Sequence, residues 1–247
     1  MNKLLAASLL ILTAQSASAQ FVFHDSFSPA PSPLWRNERG AWAGDGDRYF
    51  ATNPSNNPPT LTSLTYQHND FEITVDISDV SDGGIWLHID DLALNGVLLV
   101  TGGFGSTGTG LYWHIMTNGG YSPPINQVSG LFNQGDDIRV RVVAVGDHYD
   151  AYLNGSPTPA TSLTVPSPKS GYAGLYDFNS AWQSFDSVTL IFPCLADFNS
   201  DNFVNGDDYD SFASMFESAD LGADLNRDGF VNGDDYDLFA SHFEEGC

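Results

Sequence analysis

The phrase ADFNSDNFVNGDDYDSFASMF, starting at Ala196, returns 27 positions later as ADLNRDGFVNGDDYDLFASHF, starting at Ala223. A duplicated unit constrains a fold more than composition does. Each copy must adopt the same local structure, and each must cover what the other leaves exposed. Within the copies, oxygen-bearing side chains recur at fixed offsets: Asp197, Asn199, Asp201, Asn205 and Asp208, then Asp224, Asn226, Asp228, Asn232 and Asp235. These are positions 1, 3, 5, 9 and 12 of a twelve-residue calcium loop. Hard oxygen donors at that spacing suit Ca²⁺ better than a softer metal. Phe203 and Phe230 would offer the main-chain carbonyl at position 7, and Asn205 and Asn232 would act directly or through water. Gly229 stands at position 6, where φ is positive, but the first copy has Asn202 there. Asn tolerates that region less well than Gly, so two ions are expected, with the first site the weaker.

Each loop is followed by an apolar stripe, Tyr209, Phe212 and Phe216, then Tyr236, Phe239 and Phe243, at helical spacing. Two short helices of this kind can cover those stripes against each other. Without metal the clustered carboxylates repel, so binding and folding are expected to be coupled. The alternative is an acidic, solvated linker. From Cys194 onward fourteen carboxylates face one arginine, a net charge of −13 within the chain's −23. Such a field repels nucleic acid and anionic membrane and attracts cations. Cys194 and Cys247 are the chain's two cysteines and bracket the duplicated segment. In an oxidising compartment that arrangement reads as a disulfide.

An oxidising compartment is itself expected from the N-terminus. Lys3, the apolar run Leu4 to Leu12 and the small residues Ala17, Ser18 and Ala19 have the order of a secretory signal peptide over residues 1–19. No later run approaches the roughly 20 apolar residues of a membrane helix. A secreted, extracellular or cell-surface product beginning at Gln20, without a membrane span, is the expectation.

Residues 194–247 resemble a dockerin of type I, a module of tandem EF-hand-like calcium loops, here with Asp at loop position 12. The resemblance implies docking onto a cohesin-type or surface partner. Dockerins often carry a Ser/Thr pair at loop positions 10 and 11, whereas this chain has Gly206-Asp207 and Gly233-Asp234. A self-contained, calcium-stabilised end cap is the other reading.

Residues 20–193 are punctuated by NPSNNPP, GGFGSTGTG and NGSPTP between runs with period-two alternation. Strands are predicted over 71–77, 84–89, 110–116, 138–145, 149–154 and 185–191, which argues for an all-β antiparallel sandwich. FVFHDSF, SDGGIWLHI, GDDIRVRVVAVGDHYDAYLNGSP and GYAGLYDFNSAWQSFDSVTL resemble the concanavalin A-like jelly roll, including laminin-G-like modules. The resemblance implies that the first and last strands pair, Phe21 to Phe27 beside Phe185 to Ile191. The expected architecture is therefore a jelly-roll sandwich over 20–193 followed by a small α-helical calcium-binding, dockerin-like domain over 194–247.

Strict alternation puts Ile85, Leu87 and Ile89 on one side of their strand and Trp86, His88 and Asp90 on the other. The same reasoning leaves Tyr112 and His114 opposite Leu111, Trp113 and Ile115, and Arg139 and Arg141 opposite Val140 and Val142. If those strands neighbour one another, one face carries Trp86, His88, Asp90, Tyr112, His114, Arg139 and Arg141. Rings flanked by hydrogen-bonding groups suit a carbohydrate ligand. A solvated strand face is the alternative. Trp35, Trp42 and Trp182 read as core or edge packing.

Jelly-roll glycosidases place paired glutamates along one strand. Residues 20–193 contain Glu38 and Glu72 only, and neither has a second Glu two or four positions away. No catalytic residues are assigned. Asp90 with Asp150 is the least implausible acid pair, and His88 with His114 a weak metal pair. Three functions follow: a noncatalytic carbohydrate-binding or adhesive protein with a docking tail, a glycan-active enzyme, or a structural surface protein.

Overall fold

The protein is described by a computed structural model covering residues 20–90, 92–166, 170–178, 183–199, 201, 203–226 and 228–245. The proposed leader, Trp182, Asn202 and the Cys247 half of the expected disulfide lie outside the described residues. In chain order the strands are β1 (Gln20–Asp25), β2 (Trp42–Gly44), β3 (Tyr49–Ala51), β4 (Thr62–His68), β5 (Phe71–Ser78), β6 (Asp82–Asp90), β7 (Asn95–Gly102), β8 (Gly110–Thr117), β9 (Gly120–Tyr121), β10 (Ile125–Val128), β11 (Ile138–Val145), β12 (His148–Leu153), β13 (Thr161–Thr164), β14 (Gly171–Asp177) and β15 (Ser184–Pro193). Two helices follow, α1 (Gly206–Glu217) and α2 (Gly233–Glu245).

The strands form two antiparallel sheets. The first runs β13-β12-β11-β5-β15-β3-β2, with β1 also on β15. The second runs β10-β8-β7-β6-β14-β4, with β9 on β8. Alternation explains the first sheet: in β5, Phe71, Ile73, Val75 and Ile77 are buried while Glu72, Thr74 and Asp76 are half-buried. β11 repeats the pattern with Ile138, Val140, Val142 and Ala144 inward. These side chains meet Leu87, Leu99, Trp113 and Leu175 of the second sheet in the main core. Full burial of each large apolar side chain there stabilises the fold by about 1.5–3 kcal/mol. β1 pairs with β15, Gln20 opposite Pro193 through Asp25 opposite Val188, as the resemblance implied.

The second sheet is buried on both faces, which strict alternation does not anticipate. β7, GVLLVTG after Asn95, reads as a continuous apolar run, the mark of a strand covered on both sides. A second apolar cluster, including Trp86, Leu98, Val100, Tyr112 and Tyr176, lies on that sheet's outer face.

β6 also breaks its own period. His88 has φ +49, and the register with β7 shifts between Leu87 and Asp90. A bulge of this kind turns one residue to the opposite face. His88 consequently points into the core and Ile89 into the outer cluster beside Trp86. Gly171 makes room, since a Cβ there would lie 2.5 Å from the His88 carbonyl carbon. Gly171→Ala is expected to destabilise the sandwich by about 2 kcal/mol or more. The check is a lower urea midpoint at unchanged m.

The two helices pack through the expected stripes, with the Phe212 and Phe239 rings stacked 4.2 Å apart at 3°. Asn205 caps α1 by accepting from Asp207 N at 2.8 Å. Three residues separate Pro193, where β15 ends, from Asp197. The helical segment touches the sandwich at the β4–β5 turn, where Asn69 Nδ2 donates to Leu225 O at 2.7 Å. Nearby, the Phe192 ring contacts His68 at 4.0 Å and His242 at 6.4 Å. Among the described residues no helix is long and apolar enough to cross a membrane.

Candidate functional site

The outer face of the second sheet opens into a cleft of two adjoining cavities, about 520 and 170 Å³, that share Asp82, Phe104 and Phe178. Its floor is aromatic. Tyr112 and His114 of β8, Tyr121 of β9 and Tyr176 of β14 line the smaller cavity. His114 meets Tyr112 and Tyr121 edge-on at 5.2 and 5.0 Å. One wall is the loop between β7 and β8, GGFGSTG. Gly103 and Gly105 lie so close to Tyr112 that a Cβ on either would stand 2.5 Å from its hydroxyl or 2.7 Å from its ring. That contact leaves Phe104 at the loop's crest, 93% exposed.

Asp82, the first residue of β6, is half-buried. Burial pushes its carboxyl up to about 6. No hydrogen bond to that carboxyl is found among the described residues, whereas its main-chain oxygen accepts from Phe178 N at 2.9 Å. Burial, with Asp82's charge adding to it, pushes Tyr112 and Tyr121 up to about 12 and Tyr176 higher still. His114 Nδ1–H donates to the Ser122 carbonyl at 2.6 Å, which leaves Nε2 as an acceptor. Its burial lowers its pKa, so the ring is neutral. The Asp82 carboxyl and His114 Nε2 thus offer acceptors beside aromatic faces, an arrangement that suits a ligand carrying donors and C–H faces.

The sequence-based face is only partly assembled. Tyr112 and His114 do line the cleft. Trp86 lies beneath it, fully buried, its Nε1–H donating to Thr60 O at 3.0 Å. His88 is withdrawn into the core by the bulge. There its Nε2–H donates to Asn69 O at 2.8 Å, and Nδ1 accepts from Tyr149 OH at 2.6 Å across the sandwich. Asp90 ends β6 and accepts from Leu92 N at 3.0 Å and Ala93 N at 3.3 Å, a turn-forming role.

Arg139 and Arg141 belong to the other sheet, because β11 pairs with β5 and β12 rather than with β6 or β8. Arg139 forms a bidentate pair with Asp76 at 2.6 and 2.8 Å. Arg141 pairs with Glu72 at 2.7 Å and lies 4.0 Å over the Tyr152 ring. The Asp90/Asp150 acid pair is separated in the same way, since Asp150 sits on the outer face of the first sheet with His148 and Ser162. His88 and His114 occupy opposite faces of one sheet and cannot share a metal. Trp35 and Trp42 are buried in the main core, as expected. Asp82, Phe104, Tyr121, Tyr176 and Phe178 were missed. The available signal was one aromatic residue inside a glycine-rich turn, together with an acid opening an apolar strand.

In the C-terminal segment the two loops fold alike. Asp208 accepts from Asn199 N and Asn205 N at 3.0 and 2.9 Å, and Asp235 accepts from Asn226 N and Asn232 N at 3.1 and 2.9 Å. Asp201 N is turned toward Asp197 and Asn199, and Asp228 N toward Asp224 and Asn226. Gly229 has φ +92, as position 6 requires. Carboxylate oxygens of Asp197, Asp201 and Asp208 lie within 4.8 Å of one another. Three converging hard oxygens fit a divalent cation of the calcium kind. This grouping is in the first loop, the one expected to be weaker. Phe203 and Phe230, at position 7 of each loop, hold their rings outward, 70% and 71% exposed.

No protein-family model matches the chain, and no curated protein sequence matches it. Among solved structures the chain is similar to a Bacillus licheniformis β-glucanase, at 12% identity over 71% of this chain and 99% of that one, with TM-score 0.50. A CBM66 carbohydrate-binding module from Bacillus subtilis gives 16% identity over 65% and 92%, with TM-score 0.49. The exoplasmic/lumenal domain of VIP36 in its Ca²⁺/Man3GlcNAc-bound form gives 13% over 64% and 83%, with TM-score 0.46. At 12% identity the β-glucanase likeness shows the fold alone, a two-sheet jelly-roll sandwich.

Proposed function

We propose that this chain is a secreted, noncatalytic carbohydrate-binding protein whose ligand lies in the Asp82 cleft. Residues 194–247 form a dockerin-like tail that holds two Ca²⁺ and attaches it to a cohesin-type or surface partner. The observation that carries the binding reading is the Asp82 carboxyl, without a partner among the described residues, set among aromatic side chains beneath the exposed Phe104. Sugars present hydroxyl donors at their edges and C–H groups on their faces, and this cleft complements both.

Asp197, Asn199, Asp201, Asn205 and Asp208, with the Phe203 carbonyl, would hold one ion. Asp224, Asn226, Asp228, Asn232 and Asp235, with the Phe230 carbonyl, would hold the other. The boundaries 1–19, 20–193 and 194–247, and a Cys194–Cys247 disulfide, belong to the same proposal.

Retention on a polysaccharide panel with Ca²⁺ present tests the binding reading. Phe104→Ala and Asp82→Asn are each expected to weaken retention about tenfold, the loss of one stacking or one charge-assisted contact. Arg141→Ala, on the other sheet, is expected to leave it unchanged. Full retention in Phe104→Ala would remove the cleft from the reading. Trp86→Ala tests packing rather than ligand contact, because that ring is fully buried.

A second reading, glycan hydrolysis, draws on the raised Asp82 pKa, which suits a general acid. Hydrolysis ordinarily needs a second carboxyl, and among the described residues Asp82 is the one that lines the cleft.

A further inference from the structure

Resting on the glycan reading above, we infer that the Asp82 cleft selects sugars bearing a free, protonated amino group, such as glucosamine-type oligosaccharides, over their neutral or N-acetylated counterparts. The argument begins with charge. Among the described lining residues the cleft holds one carboxyl and no lysine or arginine. His114, its other titratable basic group, is committed to Ser122 through Nδ1 and kept neutral by burial. Tyr112, Tyr121 and Tyr176 are phenols held protonated, and Asp82's charge reaches all three.

A carboxylate half-withdrawn from water and lacking a salt-bridge partner is left with its desolvation cost uncompensated, and a cation compensates it best. The surroundings favour the same choice. Ring faces attract ammonium groups electrostatically, most strongly where water is reduced. The smaller cavity, about 170 Å³, has the scale of one sugar ring, and Phe104 stands exposed at its edge to take the apolar face of that ring. Anionic sugars fit poorly, since a uronate or sulfate would meet Asp82 without a counter-charge. The chain's overall charge of −23 adds a long-range attraction for polycations that does not depend on the cleft, and the test must separate the two.

The test is calorimetric titration of the full chain with Ca²⁺ at pH 7 and 0.15 M salt. The ligands are a glucosamine trimer, its fully N-acetylated form and a neutral glucose trimer. The amino trimer is expected to bind at least about tenfold more tightly than the other two, the scale of one desolvated cation–carboxylate contact. In Asp82→Asn that preference is expected to vanish, the amino trimer then binding no more than about twofold more tightly than the neutral one. Asp150→Asn removes one charge on the opposite sheet and is expected to keep the preference. Equal affinity for the three trimers would overturn the selectivity while leaving the glycan reading in place. A preference that survives in Asp82→Asn would assign it to the general field and overturn the role of the cleft. No binding of any trimer, and no retention on the polysaccharide panel, would overturn both.

Discussion

Treatment with EGTA is expected to abolish the helical signal of α1 and α2 while the sheet signal of the sandwich persists. Among the described residues the apolar cluster of that segment has three buried members, Phe212, Ala223 and Phe239. A core so small seldom holds a segment of this length unaided, and the proposed Cys194–Cys247 link would join only its two ends. Asp208 and Asp235 are fully buried carboxylates whose oxygens already gather two main-chain N–H groups each. Asp197 and Asp201 add further negative charge within 4.8 Å of Asp208. Without a cation that repulsion is uncompensated, so folding and ion uptake are expected to be one transition. Circular dichroism at 222 nm with and without EGTA, plus hydrogen exchange over 206–217 and 233–245, is the check. Asp208→Ala should lower the helical signal even with Ca²⁺ in excess. Exchange should also rise in the β4–β5 turn, because Asn69 loses its acceptor on Leu225. Unchanged helicity after chelation would refute the calcium reading of the loops.

The second large effect is a loss of stability in mild acid, centred on His68. This side chain is 4% exposed, and neither ring nitrogen has a partner among the described residues. Phe71 of β5 and Phe192 of β15 face it as apolar rings, while His242 of α2 and His88 of β6 are the titratable groups nearby. Burial, and then the neighbouring His242 and His88, lower its pKa to about 3. The pKa of His88 is lowered too, again chiefly by burial.

The sign follows from proton counts. Below pH about 6.5 the unfolded chain binds a proton at each of these histidines and the folded chain does not, so stability rises with pH in that window. It is complete above pH 6.5 and is lost progressively on acidification toward 3. Between pH 7.5 and 5.5, wild type is expected to lose about 1.4 kcal/mol more than His68→Leu, one unit of the shift being worth that much. At pH 7.5 the variant should be about as stable as wild type, since the imidazole it removes makes no hydrogen bond. Urea titrations of both proteins at the two pH values decide this. Parallel losses would show that His68 is not the acid-sensitive group.

Local chemistry was the legible part of this chain. The duplicated phrase predicted two loops that fold alike and the helix stripes after them, because side-chain offsets within a loop and helical period are both short-range. Period two also found β5, β8, β11, β12 and β15. It failed where the cause lay outside the strand. His88 turns inward because Gly96 and Gly171 leave room against its backbone, and no feature of GIWLHID records that. Arg139 and Arg141 looked like neighbours of Tyr112 because alternation gives a face and says nothing about which sheet the face belongs to. β7 was passed over because a strand covered on both sides has no polar beat. The cleft followed the same rule: Asp82 and Phe104 meet only after β6, β7 and the intervening turns have folded, a juxtaposition set by tertiary structure.

β15 sits between β5 on one side and both β1 and β3 on the other. Three strands from the first eighty residues therefore wait for one that starts at Ser184. A ribosome or export channel would release most of the polypeptide before the sheet could zip shut. Shortened chains ending before Ser184 should stay open and sticky, whereas loss of the final helices alone would leave the zipper complete.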